Sequence, residues 1–199
     1  MKDMVKLGVI LFAICAVASL VLGVTNNITS PVIEERNIQA SNELRQIVLS
    51  DADEFKELDG INSDIVLEVY EGISGGNVVG YTIKTAPKGY GGTVEVMVGI
   101  SVDGKVTGVD IGNHSETPGL GSKAAEPAFK DQYTGKDISN ELSVVKGSAS
   151  SENEISAISG ATITSKAVTN GVNAAIEVFN EKLAGKSISL VEVFGNMGV

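Results

Sequence analysis

The hydrophobic pattern of this chain changes period twice. Residues 7–24 form an uncharged run of eighteen without proline, apolar on every face, which meets the length of a membrane-spanning helix. Over 31–49 the pattern becomes amphipathic, with Ala40, Leu44, Ile47 and Val48 at helical spacing. Ser30 as N-cap and Pro31 at the first helical position predict that a second helix begins there. From residue 65 the period falls to two. Runs at 65–70, 78–85, 93–102 and 105–111 predict strands, the third carrying Val94, Val96, Val98 and Ile100 on one face. Gly75-Gly76-Asn77 and Asp103-Gly104 read as turns between them. The result is an antiparallel meander of about four strands, with residues 51–63 as an acidic loop. Helical spacing then returns at 124–132, a short strand is predicted at 144–146, and 148–153 is polar loop. Val168, Val172, Ala175, Ile176, Phe179 and Leu183 form a continuous stripe. It predicts a helix capped by Thr164 or Ser165 and running to about Ala184, with Gly185 closing it. The fold class is α+β: an antiparallel sheet with packed helices, preceded by one N-terminal transmembrane helix. The expected parts are a cytoplasmic N-terminus (1–6), an anchor (7–24), a stalk helix (25–50) and a domain (51–199).

Lys2 and Lys6 precede the apolar run, and the first charges after it are Glu34 and Glu35. The positive-inside rule places the N-terminus in the cytoplasm and the domain outside, in a single-pass cell-membrane protein. A cleaved signal peptide is the competing reading, with Ala16-Val17-Ala18 as its site. Cleavage there leaves a mature chain starting Ser-Leu-Val-Leu, so an uncleaved anchor is expected.

A net charge of −10 argues against nucleic acid as a partner. Cys15, the single cysteine, lies in the apolar run, and His114 is the single histidine. Disulfides, iron–sulfur clusters and cysteine zinc sites are thereby excluded from the domain, and a histidine metal centre is disfavoured. Triads built on Cys or His are nearly excluded too, so no catalytic residue is expected.

Three small-residue loops stand out. Gly89-Tyr90-Gly91-Gly92 offers close backbone approach to a flat ligand beside an aromatic ring, or simply a glycine turn. Residues 114–123 combine two glycines, Gly119 and Gly121, and Pro118 with His114, Glu116, Thr117 and Lys123; the plain alternative is a long strand-to-helix connection. Ser159-Gly160-Ala161-Thr162-Ile163-Thr164-Ser165 precedes the strongest helix. A helix start suits a phosphate, and a hydroxyl there can bond or be esterified by it; the same run also occurs as an ordinary cap.

In order along the chain, these features resemble a known family. They are the anchor, Ala86-Pro87-x-Gly89-Tyr90-x-Gly92, Glu116-Thr117-Pro118-Gly119-Leu120-Gly121 and Ser159-Gly160-Ala161-Thr162-x-Thr164. The chain is similar to the G subunit of the Rnf electron transport complex, the membrane-bound ferredoxin:NAD oxidoreductase. Its FMN-binding domain is shared with the C subunit of the sodium-pumping NADH:quinone reductase. The resemblance implies FMN joined through its phosphate to a threonine by a phosphoester bond. A separate flavin transferase makes that bond, using FAD and Mg²⁺. Carried onto this sequence, the attachment residue is Thr162, with Thr164 as the fallback. Ser159, Gly160, Ala161 and Ser165 complete that side of the cofactor site. Tyr90 and Gly91, with Glu116, Thr117, Pro118, Gly119 and Leu120, complete the other. The implied role is an electron carrier among the membrane subunits of an Rnf-type complex that couples electron flow to Na⁺ or H⁺ transport. The FMN-carrying component of the quinone reductase and a non-redox anchored sensor module are the alternatives.

Overall fold

The computed structural model describes residues 2–61 and 63–183. Gly185 and the tail beyond it lie outside the described residues. The chain divides into two compact units at Asn42/Glu43. The first consists of most of one helix, α1 (Lys2–Val48), which is long and apolar enough to cross a membrane. Its apolar side chains from Met4 to Val24 are exposed. Pro31 does not begin a helix: it lies inside α1. The Thr25-Asn26-Asn27 stretch stays helical as well, with the Thr29 hydroxyl donating back to the Thr25 carbonyl at 2.9 Å. The two predicted helices are therefore one.

The second unit is built on an antiparallel meander of five strands in sequence order. They are β1 (Glu54–Glu57), β2 (Val66–Ser74), β3 (Asn77–Thr85), β4 (Val94–Ser101) and β5 (Val106–His114). The expected four are all present. β1 is an addition, formed in a segment read as acidic loop. Its exposed alternation carries almost no hydrophobic signal, and pairing with β2 is what orders it.

One residue row runs straight across four strands: Val69, Ile83, Val98 and Val109 are successive register partners. All four are buried on the face covered by α3 (Thr162–Val178), which packs on β3 and β4. Val168, Val172, Ala175, Ile176, Phe179 and Leu183 make the predicted stripe, and all are buried. Full burial of each such aliphatic side chain stabilises by about 1.5–3 kcal/mol. α3 starts at Thr162, two residues before the expected cap, and ends at Val178 in a π turn, Phe179–Leu183. Thr164 and Ser165 are thus inside the helix rather than capping it.

The predicted helix at 124–132 is broken into three pieces. A 3-10 turn (Gly121–Ala125), α2 (Pro127–Lys130) and a second 3-10 turn (Asp131–Tyr133) follow one another. Pro127 sits at the start of α2 and lacks the N–H that would continue the first turn. β6 (Ser143–Val145) pairs in parallel with β7 (Glu154–Ser156), a strand the hydrophobic pattern does not reveal.

The opposite face of the sheet receives the last residues of α1 and Leu49. The next row over, Tyr70, Thr82, Gly99 and Gly108, is again register-matched, and Gly72 pairs with Gly80 beside it. These glycines form a trough. A Cβ on Gly99 would overlap the Val48 carbonyl, and one on Gly80 would lie 2.9 Å from a Leu49 methyl. The Thr107 hydroxyl donates to that Val48 carbonyl. Arg45 lies over the Tyr70 ring, 3.6 Å from its centroid, and pairs with Glu68. Lys84 extends the network to Glu68 at 3.7 Å and Glu95 at 3.4 Å.

Candidate functional site

α3 presents its N-terminus at one end of the sheet, where the segments after β3 and β5 also meet. The chain reaches it through Gly160, whose φ of 78° lies in the left-handed region. Ser165, fully buried, fixes this entry: its hydroxyl donates to the Ala161 carbonyl and accepts from the Ile158 amide, both at 3.0 Å. Ala161 is the N-cap and supplies no side-chain hydrogen bond. The first-turn amides of α3 consequently have no intrahelical partner and no side-chain cap.

Between this helix start and the two upstream loops lies a cleft of about 550 Å³. That falls within the range of roughly 300–1,000 Å³ of ligand pockets. Gly160, Ala161, Thr162, Ile163 and Thr164 line one wall. Tyr90, Glu116, Thr117, Leu120 and Gly121 line the other. A somewhat larger cavity of about 610 Å³ lies along a different side of α3. Asn173 there is already engaged with the Leu142 backbone in both directions, so its amide serves to pin the 138–142 loop.

The three small-residue loops are therefore brought together, although more than 60 residues separate the first from the last. Thr162, Gly160, Ala161, Thr164, Tyr90, Glu116, Thr117 and Leu120 all line the cleft. Ser159, Ser165, Gly91, Pro118 and Gly119 do not. Ile163 and Gly121 line it too, although the motifs that contain them do not mark them as cofactor-site residues. Ile163 had a signal: it is an aliphatic residue off the buried stripe of α3, and it is 55% exposed.

Glu116 sits at the floor, 6% exposed. Its Oε1 accepts from the Tyr90 amide at 2.8 Å and the Gly91 amide at 3.0 Å, and its Oε2 accepts from the Thr164 hydroxyl at 2.5 Å. The Glu116 amide donates to His114 Nδ1 at 3.3 Å. Burial works against the charge. The Thr164 hydroxyl, the Gly91 and Tyr90 amides and the neighbouring His114 outweigh it and hold this carboxyl below the ordinary glutamate range. The glycines beside it have a structural reason. A Cβ at Gly89 would overlap Oε1, and one at Gly121 would overlap Oε2 and lie 2.7 Å from the Thr164 hydroxyl oxygen. Gly91 is pressed against the Ser115 carbonyl in the same way. These three glycines make room for the protein's own groups.

Thr162 differs from Thr164 in kind. It is half-buried at the first position of α3 and borders the cleft. Thr164 is 1% exposed with its hydroxyl engaged. The arrangement suits a ligand with an anionic end and a flat apolar body. Uncapped amides and the positive end of the helix receive the anion. Tyr90, Leu120 and Ile163, all exposed, offer apolar surface to the body.

Residues 89–177 match the model of a family described as "FMN-binding domain", and this stretch contains every residue of the cleft. The chain is 50% identical over 192 residues to the G subunit of the Na(+)-translocating ferredoxin:NAD(+) oxidoreductase complex of Acetobacterium woodii, covering 89% of this chain and 92% of that one. It is 36% identical to the proton-translocating counterpart of Clostridium ljungdahlii, covering 86% and 89% of the two chains. Its fold is similar to the crystal structure of Shewanella oneidensis NqrC, with a TM-score of 0.61 at 18% identity, over 76% of this chain and 99% of that one. The fold, the cleft and half identity over nearly the whole of both chains lead to one conclusion: the protein belongs to the family of G subunits of ion-translocating ferredoxin:NAD(+) oxidoreductase complexes.

Proposed function

We propose that this chain carries FMN in the cleft, bonded through its phosphate to the hydroxyl of Thr162. In this reading it passes electrons between neighbouring subunits of a membrane-bound ferredoxin:NAD oxidoreductase. The observation that carries the reading is the position of Thr162. It is a half-exposed residue at the first position of an uncapped 17-residue helix, opening on the cleft. A phosphoester there places the phosphate charge against unpartnered amides and the positive helix end. Thr164 lacks that access, because its hydroxyl is buried against Glu116.

FMN, when bound, supplies one- and two-electron chemistry. The residues of the chain bind and orient. Tyr90, Leu120 and Ile163 offer an apolar bed, and Glu116 shapes the floor beneath it. α1 holds the domain at the membrane, with the domain on the extracytoplasmic side, and a flavin transferase completes the chain after synthesis. A covalent link keeps the cofactor in a compartment where it is not resupplied.

The test is in-gel flavin fluorescence after SDS denaturation of chain co-expressed with its transferase. The wild type and Thr164→Val are expected to fluoresce, and Thr162→Val is expected to be dark. A dark wild type removes the covalent reading. A fluorescent Thr162→Val with a dark Thr164→Val moves the bond to the other threonine.

A further inference from the structure

We infer that Glu116 is the positioning residue of the cleft: one carboxylate ties the turn bearing Tyr90 to the first turn of α3 and gives the cofactor site a fixed negative charge. The inference rests on the reading that the cleft takes FMN, and deepens it.

Packing does not fix Tyr90, which is 71% exposed. Its backbone is held instead by the amides of Tyr90 and Gly91, both donating to Glu116 Oε1. The other oxygen of the same carboxylate takes the Thr164 hydroxyl from the opposite wall. Tyr90 and Thr164 are 26 and 48 residues from Glu116 along the chain, so this one group bridges two walls that no strand pairing joins. The surroundings are shaped to admit it. Side chains at Gly89 and Gly121 would each occupy the space of one carboxylate oxygen. Two glycines of different loops and one acid are thus a single device.

The second consequence is electrostatic. Glu116 lines the cleft and is shielded from solvent, so its charge acts on whatever lies in the cleft with little screening. A fixed anion beside a flavin opposes the addition of electrons to it. Glu116 therefore lowers the reduction potential of the bound flavin. Glutamine has nearly the same shape and can still accept both amides through its carbonyl oxygen, with Thr164 turned to accept from its NH₂. Glu116→Gln removes the charge and leaves most of the tie; Glu116→Ala removes both.

Two measurements on the full-length chain separate these effects. The first is amide hydrogen exchange on chain made without the transferase, which needs no flavin. In Glu116→Ala the Tyr90 and Gly91 amides are expected to exchange about tenfold faster or more, while the core amides of Ile83 and Val98 stay protected. Glu116→Gln is expected to give a much smaller rise. The second is a redox titration of flavin-loaded protein, in which Glu116→Gln is expected to move the potential to a more positive value and Glu116→Asp to stay closer to wild type. Unchanged exchange at Tyr90 and Gly91 in a folded Glu116→Ala overturns the positioning role. An unchanged or more negative potential in Glu116→Gln overturns the electrostatic one. If the wild type takes no flavin, the proposed function fails by itself, and the exchange data still decide what Glu116 does. If Glu116→Ala loses core protection, the Gln and Asp variants carry both measurements.

Discussion

Thr162 and Thr164 stand two residues apart in the first turn of α3, and the fold treats their hydroxyls oppositely. The Thr164 oxygen is buried 2.5 Å from Glu116, whereas Thr162 is half-buried at the cleft. Thr164→Val keeps the shape of the side chain and removes the donor. A hydrogen bond to a charged group contributes about 1.5–3 kcal/mol. Urea unfolding of the flavin-free chain is expected to show a loss of about that size, and Thr164→Ser to recover much of it. Flavin attachment is expected to fall in Thr164→Val without disappearing.

The same carboxylate predicts a pH dependence. Its pKa is lower in the folded protein than in the unfolded chain, so its contribution to stability is fully present above the unfolded value. That contribution is lost as pH falls through the folded one. The stability difference between wild type and Glu116→Gln is therefore expected to be largest near neutrality and to shrink on acidification below about pH 4.5. Denaturant midpoints across that range measure it. Asp103, Asp137 and Glu154 are also held low, chiefly by hydrogen bonds from Ser101, Ser139 and Ser150. The variant keeps these three, so its acid sensitivity is expected to be reduced rather than abolished.

On the other face of the sheet, Gly99→Ala is expected to destabilise by about 2–3 kcal/mol. The new methyl overlaps the Val48 carbonyl, a backbone group that cannot swing aside, and crowds the Thr107 hydroxyl that bonds it. Thermal or denaturant unfolding gives the value. A near-neutral result would mean that the end of α1 lifts from the trough at little cost.

Periodicity made the sheet legible because Val94, Val96, Val98 and Ile100 alternate without interruption, and every one of them is buried. The α3 stripe was legible for the same reason at a different period. β1 was not, since Phe55 is its sole hydrophobic residue and it forms only by pairing with β2. Pro31 misled in the other direction. A Ser-Pro pair is a good helix start, but nothing local shows that the preceding turn is already helical. The cleft was legible as three loops of small residues, not as a geometry. Ser165 and Gly91 belong to the right segments and serve behind the wall, because a motif names a stretch while the local backbone path decides which atoms face the cleft.

The spacing of residues along the chain was enough for the sheet and helix stripes, the apolar run at 7–24 and the small-residue loops, and composition for the scarcity of cysteine and histidine. Each of these is written in local spacing or composition. Only the tertiary structure decided why the glycines are there. Space at Gly89 is filled by a carboxylate from another loop, space at Gly121 by the same carboxylate folded back within its own loop, and space at Gly99 by a carbonyl from the end of α1. A glycine in a sequence records that something must come close; which group it is depends on contacts between residues far apart in the chain.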